Sequence, residues 1–313
     1  MNAQVLLLGS TDFTLAIAEA VKASGASVGA IVHVEDQFRI SYAAGGVKNF
    51  RSADIAGWCA AHAAQAIVFD SFASLPDRLP DACFDACIVA GWYHMVPKAF
   101  RAGFPQGCIG FHASLLPKLR GGAPLNWAIL SGLHETGVSM FEIGDGVDDG
   151  PLYDQARLPI GPDTRIGDLV EASKAVSVAM VARMLPGVLS GAVKPVSQAG
   201  EPSYCLQRMP EDGRIGWRRP AIEIARLVRA VSRPYPGALA RLDEREFAIH
   251  AASVFSEHVI LGMPGQIANI PGVDAPLIVC GEASLRVTEA IFEDGTDALP
   301  VLRQSSNRRL ATR

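Results

Sequence analysis

The amino-acid sequence predicts an α/β fold in which a Rossmann-like, mostly parallel sheet is flanked by helices and followed by a small, OB-like β-barrel domain. The chain opens with an apolar strand, a helix and a second apolar strand, an order that places parallel strands in one sheet. Apolar runs and helical patterns alternate up to about residue 190. Beyond that point, one helix precedes short alternating runs separated by Gly and Pro, a pattern typical of a small barrel or sandwich.

The first three elements follow from the pattern of apolar residues. QVLLLG at 4–9 is a buried strand that ends in glycine, and SVGAIVHV at 27–34 is the second strand. Between them, the polar residues 10–12 offer an N-cap for a helix that ends at Gly25. The turn after the first strand is GSTDF rather than GxGxxG, so it lacks the glycine cradle for a dinucleotide pyrophosphate.

The rest of the first region continues this alternation. The stretch 35–52 mixes charges, aromatic residues and Gly-Gly, and is predicted to be a loop. The predicted strands lie at 66–70, 86–92, 108–114 and 137–143, and the predicted helices at 53–64, 123–132 and 166–190.

Composition changes near residue 193, where a connector containing proline and glycine begins. A helix is predicted at 220–232, and short apolar runs follow it to residue 292. At 313 residues the chain exceeds the usual size of one hydrophobic core, so two domains are expected, at 1–195 and 200–305.

Composition and charge restrict the partners. The formal net charge is −4 and the pI is near 6.0, so there is no overall basic excess to hold a nucleic acid backbone. The N-terminus lacks the features of a signal peptide, and no apolar run reaches the ~18 residues that cross a bilayer. The six cysteines form no CxxC, which favours free thiols in the cytoplasm over disulfides or a metal site. A homo-oligomer is left open.

The most unusual stretch is 107–150. His112 ends an apolar strand and is followed by a SLLP turn and a cationic, glycine-rich loop, KLRGGAP. Ligand sites in open α/β sheets lie at the carboxyl ends of strands. The strand at 137–143 ends in the acidic loop GDGVDDG, so Asp148 or Asp149 would face His112 if the two strands are neighbours. A histidine and an aspartate together can move protons.

Each of these features alone has a simpler interpretation. A histidine after a strand is commonly a hydrogen-bonded structural residue. GDGVDDG lacks the ligand spacing and the closing glutamate of an EF-hand, and HETG at 134–137 is not the zinc motif HExxH. SLLP lacks the GxSxG nucleophile elbow, so Ser114 is a poor candidate for an activated serine.

In this order, however, the features resemble the folate-dependent formyltransferases, a family marked by a histidine before SLLPxxRGxxP, a TGV strand and GxDxG. The matching residues are His112, Ser114–Pro117, Arg120–Gly121, Pro124, Thr136–Val138 and Gly146–Gly150. RMPEDGRIGW (208–217) and LVRAVSRPYPGA (227–238) further resemble sugar-nucleotide formyltransferases, and methionyl-tRNA formyltransferase is a more distant likeness.

The resemblance implies 10-formyltetrahydrofolate as the formyl donor, no metal, and a catalytic Asn-x-His with a distal Asp. His112 and Asp148 take the second and third roles, in which Asp148 would orient His112 and help to deprotonate the amine. Gly110 stands where the asparagine is expected. Since losing one oxyanion donor costs ~10²–10³ in rate, either Asn126 or a water replaces it, or the chemistry is weakened or altered.

The same resemblance implies the binding residues. The segments 91–97 and 143–147 would line the folate pocket, where aromatic and apolar side chains suit a flat pterin. The predicted folate-binding residues are Trp92, Tyr93, Met95, Val96, Ile143, Gly144, Asp145, Gly146 and Val147. The predicted substrate-binding residues are Arg120, which suits an anionic substrate together with Lys118, and Asn126.

The predicted function is transfer of a formyl group to a primary amine, with an amino-sugar nucleotide as the favoured acceptor. The PYPGA motif and the near-neutral charge favour this acceptor over initiator tRNA. A methionyl-tRNA formyltransferase and a hydrolase that releases formate from the same folate stay open. A catalytically impaired folate- or nucleotide-binding relative also stays open, because of Gly110.

Overall fold

The computed structural model describes residues 2–40, 43–49, 51–80 and 83–311, and the chain forms two compact units. The first unit consists of Met1–Pro124, Thr136–Leu158 and Glu171–Cys205, and the second of Leu125–Glu135, Pro159–Val170 and Leu206–Arg313. The chain therefore passes between the units several times instead of finishing one before it begins the other.

Strands and helices alternate up to residue 205, and strands predominate after it. The strands up to residue 205 are β1 (Gln4–Leu8), β2 (Ser27–His33), β3 (Gln37–Ile40), β4 (Ala43–Lys48), β5 (Gln65–Val68), β6 (Ala86–Val89), β7 (Cys108–His112), β8 (Arg120–Gly121), β9 (Glu135–Glu142), β10 (Leu152–Pro159) and β11 (Tyr204–Cys205). The later strands are β12 (Ala238–Leu242), β13 (Arg245–Phe255), β14 (Ile267–Ala268), β15 (Leu277–Val279) and β16 (Ser284–Phe292). The helices are α1 (Asp12–Ala23), α2 (Ile55–Ala61), α3 (Lys98–Arg101), α4 (Pro124–Leu130), α5 (Ile166–Leu189), α6 (Ala221–Val231) and α7 (Leu299–Gln304).

The first unit is built on a seven-stranded sheet with the order β10-β9-β7-β6-β1-β2-β5. The strands from β7 to β5 in this order pair in parallel, as the β-α-β pattern predicts. β9 pairs with β7 in the antiparallel sense. The predicted mostly parallel α/β sheet is therefore confirmed, with antiparallel pairing on one side.

The residues of β1 explain why an uninterrupted apolar run lies at the centre of the sheet. Val5 and Leu7 pack into one hydrophobic core, which also contains side chains of α1 and α5. Leu6 and Leu8 pack into a separate core with Phe84. Successive residues of a strand point to opposite faces, so a strand covered on both faces must be apolar at every position.

Within the described residues, α5 is the one helix long and apolar enough, by length and composition alone, to cross a membrane. Its residues Met180, Val181 and Leu185 are fully buried in the core of the first unit. Packing against the sheet accounts for the apolar side of this helix.

Two segments differ from the sequence-based expectation. Within 35–52, predicted to be a loop, β3 and β4 pair as an antiparallel hairpin, although residues 41, 42 and 50 lie outside the described residues. The Phe38 ring packs on the Tyr93 ring, with 4.6 Å between centroids, so a tertiary contact supports strands that contain unfavourable glycines. β10 is also absent from the prediction, because its mainly half-exposed residues give a weak apolar pattern.

The second unit confirms the predicted helix and antiparallel β domain. Its strands have the order β12-β13-β16-β15-β14. Trp217, Val228 of α6 and Phe247 of β13 share one hydrophobic core. The register of β13 against β16 shifts around Ala251, and such bulges bend and twist a sheet.

Candidate active site

β7 carries His112 to the carboxyl end of the parallel strands, but β9 does not bring Asp148 there in the expected way. Because β9 is antiparallel, its last residue, Glu142, lies opposite Ile109 instead of opposite His112. The two strands are neighbours and Asp148 faces His112, although the ends of the strands do not lie side by side. Asp148 reaches His112 because the loop 143–150 runs back along β7.

His112 and Asp148 form a close, shielded pair. His112 Nδ1 lies 3.3 Å from Asp148 Oδ2, and the two side chains are only 8% and 24% exposed. The Gly121 N–H donates to the same Asp148 oxygen at 2.8 Å, and His112 Nε2 lies 2.7 Å from the Leu119 carbonyl oxygen. Both imidazole nitrogens thus face oxygen atoms, the Asp148 carboxylate on one side and the Leu119 carbonyl on the other.

Asp148 keeps one carboxylate oxygen available. Its Oδ2 makes both contacts with His112 and Gly121, whereas its Oδ1 receives no hydrogen bond from the residues that the structure describes. A carboxylate oxygen in this position is a chemically suitable acceptor for a proton from an incoming amine.

The SLLP turn after His112 is held by hydroxyl groups. Ser114 Oγ donates to the Lys118 carbonyl at 2.5 Å. Ser139 Oγ, on β9, donates to the Ser114 carbonyl at 2.7 Å and accepts from the Leu116 N–H at 3.0 Å. Ser114 is therefore engaged in the turn. Sequence analysis missed Ser139, whose one signal is a polar residue within the apolar run GVSMFEI.

Two residues at this site have a left-handed backbone, Leu119 with φ 55° and Asp148 with φ 48°. Such a conformation costs ~1–3 kcal/mol in a non-glycine residue and persists where surrounding contacts hold it. At Leu119 the contacts come from β11 and the residue before it, since the Leu119 N–H donates to Ser203 Oγ at 2.9 Å and β8 pairs with β11. Sequence analysis treated this segment as a connector only.

Cys205 adjoins the pair. Burial, and then the negative charge of Asp148, raise the pKa of its thiol to about 11. The neutral thiol donates at 3.3 Å to the carbonyl of Leu119, which also faces His112. Since nucleophilic attack requires the thiolate, Cys205 is a packing residue here.

The predicted folate segment 92–96 lies on an aromatic cluster. The Trp92 and Phe69 rings meet edge to face at 4.9 Å, and the Trp92 indole Nε1 is buried with no hydrogen-bond partner among the described residues. Val96 is buried in the core beneath, while Met95 is 65% exposed. An aromatic surface with an unsatisfied donor fits a flat, polar-edged ring such as a pterin.

Tyr93 and His94 extend this surface. The Tyr93 hydroxyl donates to Asn49 Oδ1 at 2.9 Å. Burial lowers the pKa of His94, whose ring lies 5.0 Å from Phe69 and 6.0 Å from Phe38. A neutral imidazole therefore completes the aromatic surface, and His94 is a residue that sequence analysis did not assign.

Arg101 holds the two predicted folate segments together. Its Nε donates to the Val96 carbonyl at 3.2 Å and its Nη1 to the Ile143 carbonyl at 2.6 Å. Its Nη2 pairs with Asp145, which also contacts Lys98 Nζ at 3.1 Å. The Arg101 guanidinium and then Lys98 lower the pKa of the Asp145 carboxyl. A single arginine in a short helix gives no motif, so sequence analysis missed it.

Asp149 makes the loop 143–150 compact. It accepts a hydrogen bond from the Gly146 N–H at 3.2 Å. A Cβ added at Gly144 or Gly146 would lie 2.4 or 2.3 Å from its carboxylate oxygens, so a side chain at either position would displace Asp149. Val147 is 48% exposed at the loop surface. Of the two aspartates considered for His112, Asp148 is therefore the partner, and Asp149 stabilises the loop.

Apolar side chains fill the space beside Gly110. A Cβ added there would lie 3.0 Å from Phe141 and 3.1 Å from Ile143. Asn126, suggested as a replacement donor, belongs to the second unit, where its Nδ2 donates to the Ala230 carbonyl at 2.7 Å. Asn126 is also buried, at 8% exposure, so its amide serves the packing of α4 against α6.

The two cations of the glycine-rich loop already have partners. Arg120 directs Nε and Nη2 at Gln198 Oε1, at 3.2 and 2.6 Å, while Lys118 Nζ donates to the Glu201 carbonyl at 2.8 Å. Arg120 Nη1 has no contact within the described chain and remains free for an anionic group. In the same residues, no group of three or more His, Cys, Asp or Glu has an arrangement that could hold a metal ion.

A mostly parallel sheet that presents a histidine–aspartate pair at the carboxyl ends of its strands is typical of α/β enzymes. The family model described as formyl transferase matches residues 1–185, and the model for the C-terminal domain of formyl transferases matches 208–299. The chain belongs to the formyl transferase family. This result confirms the predicted family and enzyme class, and the family uses 10-formyltetrahydrofolate as its formyl donor.

The chain is similar to a curated relative in sequence and to two solved structures in fold. A methionyl-tRNA formyltransferase of Sorangium cellulosum is 33% identical over 210 residues, which cover 67% of each chain. The N-formyltransferase of Helicobacter canadensis, solved with folinic acid and dTDP-3-aminofucose, has a TM-score of 0.67 at 15% identity and covers 91% of this chain and 99% of its own. A HypX variant from Aquifex aeolicus has a TM-score of 0.63 at 17% identity, covering 94% of this chain and 45% of its own.

Proposed function

We propose that the protein transfers the formyl group of 10-formyltetrahydrofolate to the primary amine of an amino-sugar nucleotide. The observation that carries this proposal is the contact of His112 with Asp148, 3.3 Å between Nδ1 and Oδ2, with the second carboxylate oxygen free. Formyl transfer needs a proton acceptor for the amine and a hydrogen-bond donor for the developing oxyanion, and the pair supplies both.

Each member of the pair has a separate task. When bound, the folate supplies an activated formyl group. Asp148 Oδ1 accepts a proton from the attacking ammonium, so that the amine nitrogen can form its bond to the formyl carbon. His112, beside Asp148, donates a hydrogen bond to the formyl oxygen as negative charge develops on that oxygen. Once Asp148 has released that first proton to solvent, it accepts the second proton of the amine nitrogen and passes it to the folate nitrogen as the bond from that nitrogen to the formyl carbon breaks.

The donor site is proposed at the segments 92–96 and 143–147. The unsatisfied indole N–H of Trp92 and the aromatic rings around it suit the pterin. Arg101 fixes the distance between the segments through three directed contacts. The folate would therefore bind a surface that is largely formed in advance, with the exposed Met95 and Val147 at its edges.

The charge of the chain supports a small acceptor. Over 206–313, basic and acidic residues are nearly equal in number, so this region has no basic excess for an RNA backbone. Arg120 has one free guanidinium nitrogen in the same unit as the catalytic pair, and arginine suits the phosphate of a nucleotide. We therefore assign Arg120 to the acceptor and omit Asn126, whose amide is bonded to Ala230.

Methionyl-tRNA is the second candidate acceptor, favoured by the sequence relatives. Those relatives are 31–36% identical over about two thirds of the chain and are named methionyl-tRNA formyltransferases. Water is a third candidate acceptor. Gly110 has no side chain to supply the oxyanion donor that the resemblance implies at this position, and apolar side chains fill the space beside it.

The test is incubation of the purified protein with 10-formyltetrahydrofolate and each of three acceptors: dTDP-3-aminofucose, a UDP-amino sugar and methionyl-tRNA. We expect a mass gain of one formyl group on a sugar nucleotide, and none with His112→Ala. Formylation of methionyl-tRNA alone would replace the proposed acceptor, and formate release independent of amine would make the protein a hydrolase. Folate binding without turnover of any acceptor would contradict the proposed activity.

A further inference from the structure

Gln198 uses every polar group of its side chain on residues of the candidate site. Its Nε2 donates to the carbonyl oxygens of Asp148 and Gly150, each at 2.8 Å. Its Oε1 accepts from Arg120 Nε and Nη2, at 3.2 and 2.6 Å. An amide has two N–H groups and one oxygen with two lone pairs, so its hydrogen-bonding capacity is filled.

The contact with the Asp148 carbonyl concerns the strained residue itself. Asp148 has φ 48°, a conformation that an aspartate leaves unless neighbouring contacts hold it. Rotation to an ordinary backbone would turn the carbonyl away from Gln198 and move the carboxylate away from His112. The Gln198 amide therefore opposes the motion that would separate the catalytic pair.

We propose that Gln198 is a positioning residue that couples the acceptor-binding arginine, Arg120, to the catalytic Asp148. The inference rests on the proposed function for the roles of those two residues. A single amide orients the guanidinium on one side and the loop of the carboxylate on the other, so the two are fixed relative to each other before substrates bind.

The chemistry of the amide explains why neither charged side chain could take its place. A glutamate would keep an acceptor for Arg120 but would direct a carboxylate at two carbonyl oxygens. A lysine could donate to both carbonyls but would repel Arg120 and add a cation near Asp148. The two substitutions therefore remove opposite halves of the coupling.

Kinetics of Gln198→Glu and Gln198→Lys separate the two halves, with dTDP-3-aminofucose as acceptor. For Gln198→Glu we expect kcat to fall ~10²-fold, the loss typical of a group displaced by about 1 Å, with KM for the amine nearly unchanged. For Gln198→Lys we expect the reverse, a raised KM with kcat within ~3-fold of wild type, because a binding contact is lost and the catalytic geometry kept. Gln65→Glu, an exposed glutamine on β5, is the control for the added charge.

Crystal structures of the same variants provide a readout that needs no turnover. We expect His112 and Asp148 to remain in contact in wild type and in Gln198→Lys, and to separate in Gln198→Glu. Gln198→Ala, which adds no charge, should separate them as well and serves as the second variant if the glutamate chain fails to fold. An intact pair in the glutamate or alanine variant would overturn the positioning role. If wild type formylates no acceptor but the pair still separates in the glutamate and alanine variants, the positioning role is supported and the proposed function alone is contradicted.

Discussion

The loop 143–150 has two halves that are fixed by different chemistry. The first half, 143–147, is proposed to bind the folate. The guanidinium of Arg101 holds it by contacting the Ile143 carbonyl and the Asp145 carboxylate. The second half carries Asp148. The neutral amide of Gln198 holds it by donating to the backbone carbonyls of Asp148 and Gly150. A cation thus holds the binding half, and an uncharged group holds the catalytic half.

This difference follows from what each half must do. Gln198 holds the catalytic half through backbone carbonyls alone, which leaves the Asp148 carboxylate to His112 and the Gly121 N–H. The Asp145 carboxylate, 62% exposed, instead pairs directly with the cation of Arg101. We therefore expect mutations in the first half to change the KM for the folate and mutations in the second half to change kcat, although one short loop contains both.

The largest effect is expected from His112→Ala. Loss of the imidazole that donates to the oxyanion should lower kcat by ~10³-fold, within the range for an acid–base or oxyanion residue. The KM for folate should stay near its wild-type value, because His112 contacts the second half of the loop only. Steady-state kinetics measure both constants, with His134→Ala, at a histidine outside the site, as the control. A variant that retains wild-type kcat would remove His112 from the mechanism.

Asp148→Asn is the next largest effect. Asparagine tolerates a left-handed backbone, so the loop should stay folded at φ 48° while the proton acceptor is lost. We expect kcat to fall ~10²–10³-fold with little change in the thermal midpoint. Asp148→Ala should lose the same activity and also stability, because alanine does not favour this backbone. Equal thermal midpoints for the two variants would contradict the strain at Asp148.

Gly110→Asn tests whether the catalytic half can accept the amide that the family motif contains. Because Phe141 and Ile143 lie within 3.0 and 3.1 Å of a new Cβ, we expect a ~10-fold fall in kcat from crowding. Combining it with Ile143→Ala should make space and recover most of the loss. A clear rise in kcat for the single variant, at an unchanged thermal midpoint, would mean that the natural protein lacks a useful donor.

Arg101→Lys addresses the binding half. Lysine keeps the charge near Asp145 but cannot make the three directed contacts of a guanidinium. We expect the KM for 10-formyltetrahydrofolate to rise ~5–10-fold while kcat stays within ~2-fold, as for loss of a binding interaction. A fall in kcat without a change in KM would contradict the separation of folate binding from turnover between the two halves of the loop.

Asp145→Asn should give the smallest effect. An exposed ion pair is weak and screened by salt, so we expect the KM for folate to rise ~2–3-fold at low ionic strength and to match wild type in ~1 M salt. The lowered pKa of Asp145 means that the pair is intact above the ordinary carboxyl pKa and is lost as pH falls through the lowered value. From about pH 5 to 8 this residue should therefore contribute no pH dependence to folate binding.

The local pattern of apolar residues was sufficient to predict most strands and helices of the first unit. β1, α1 and β2 begin and end within a residue or two of the predicted positions, because each is buried through a regular apolar period. β10 and the hairpin of β3 and β4 escape prediction because half-exposed residues and glycines carry little periodic signal. Their pairing partners, which the local pattern does not contain, stabilise them.

Contiguous motifs and apolar periodicity were enough to predict the family, the order of the α/β elements and the choice of His112 with an aspartate of GDGVDDG. The antiparallel pairing of β9, the left-handed backbone of Asp148 and the anchoring of the loop by Arg101 and Gln198 became visible in the folded chain alone. Gln198 lies 50 residues from Asp148 in the chain. A contact of that kind comes from the path of the folded backbone, and no local preference of either residue encodes it.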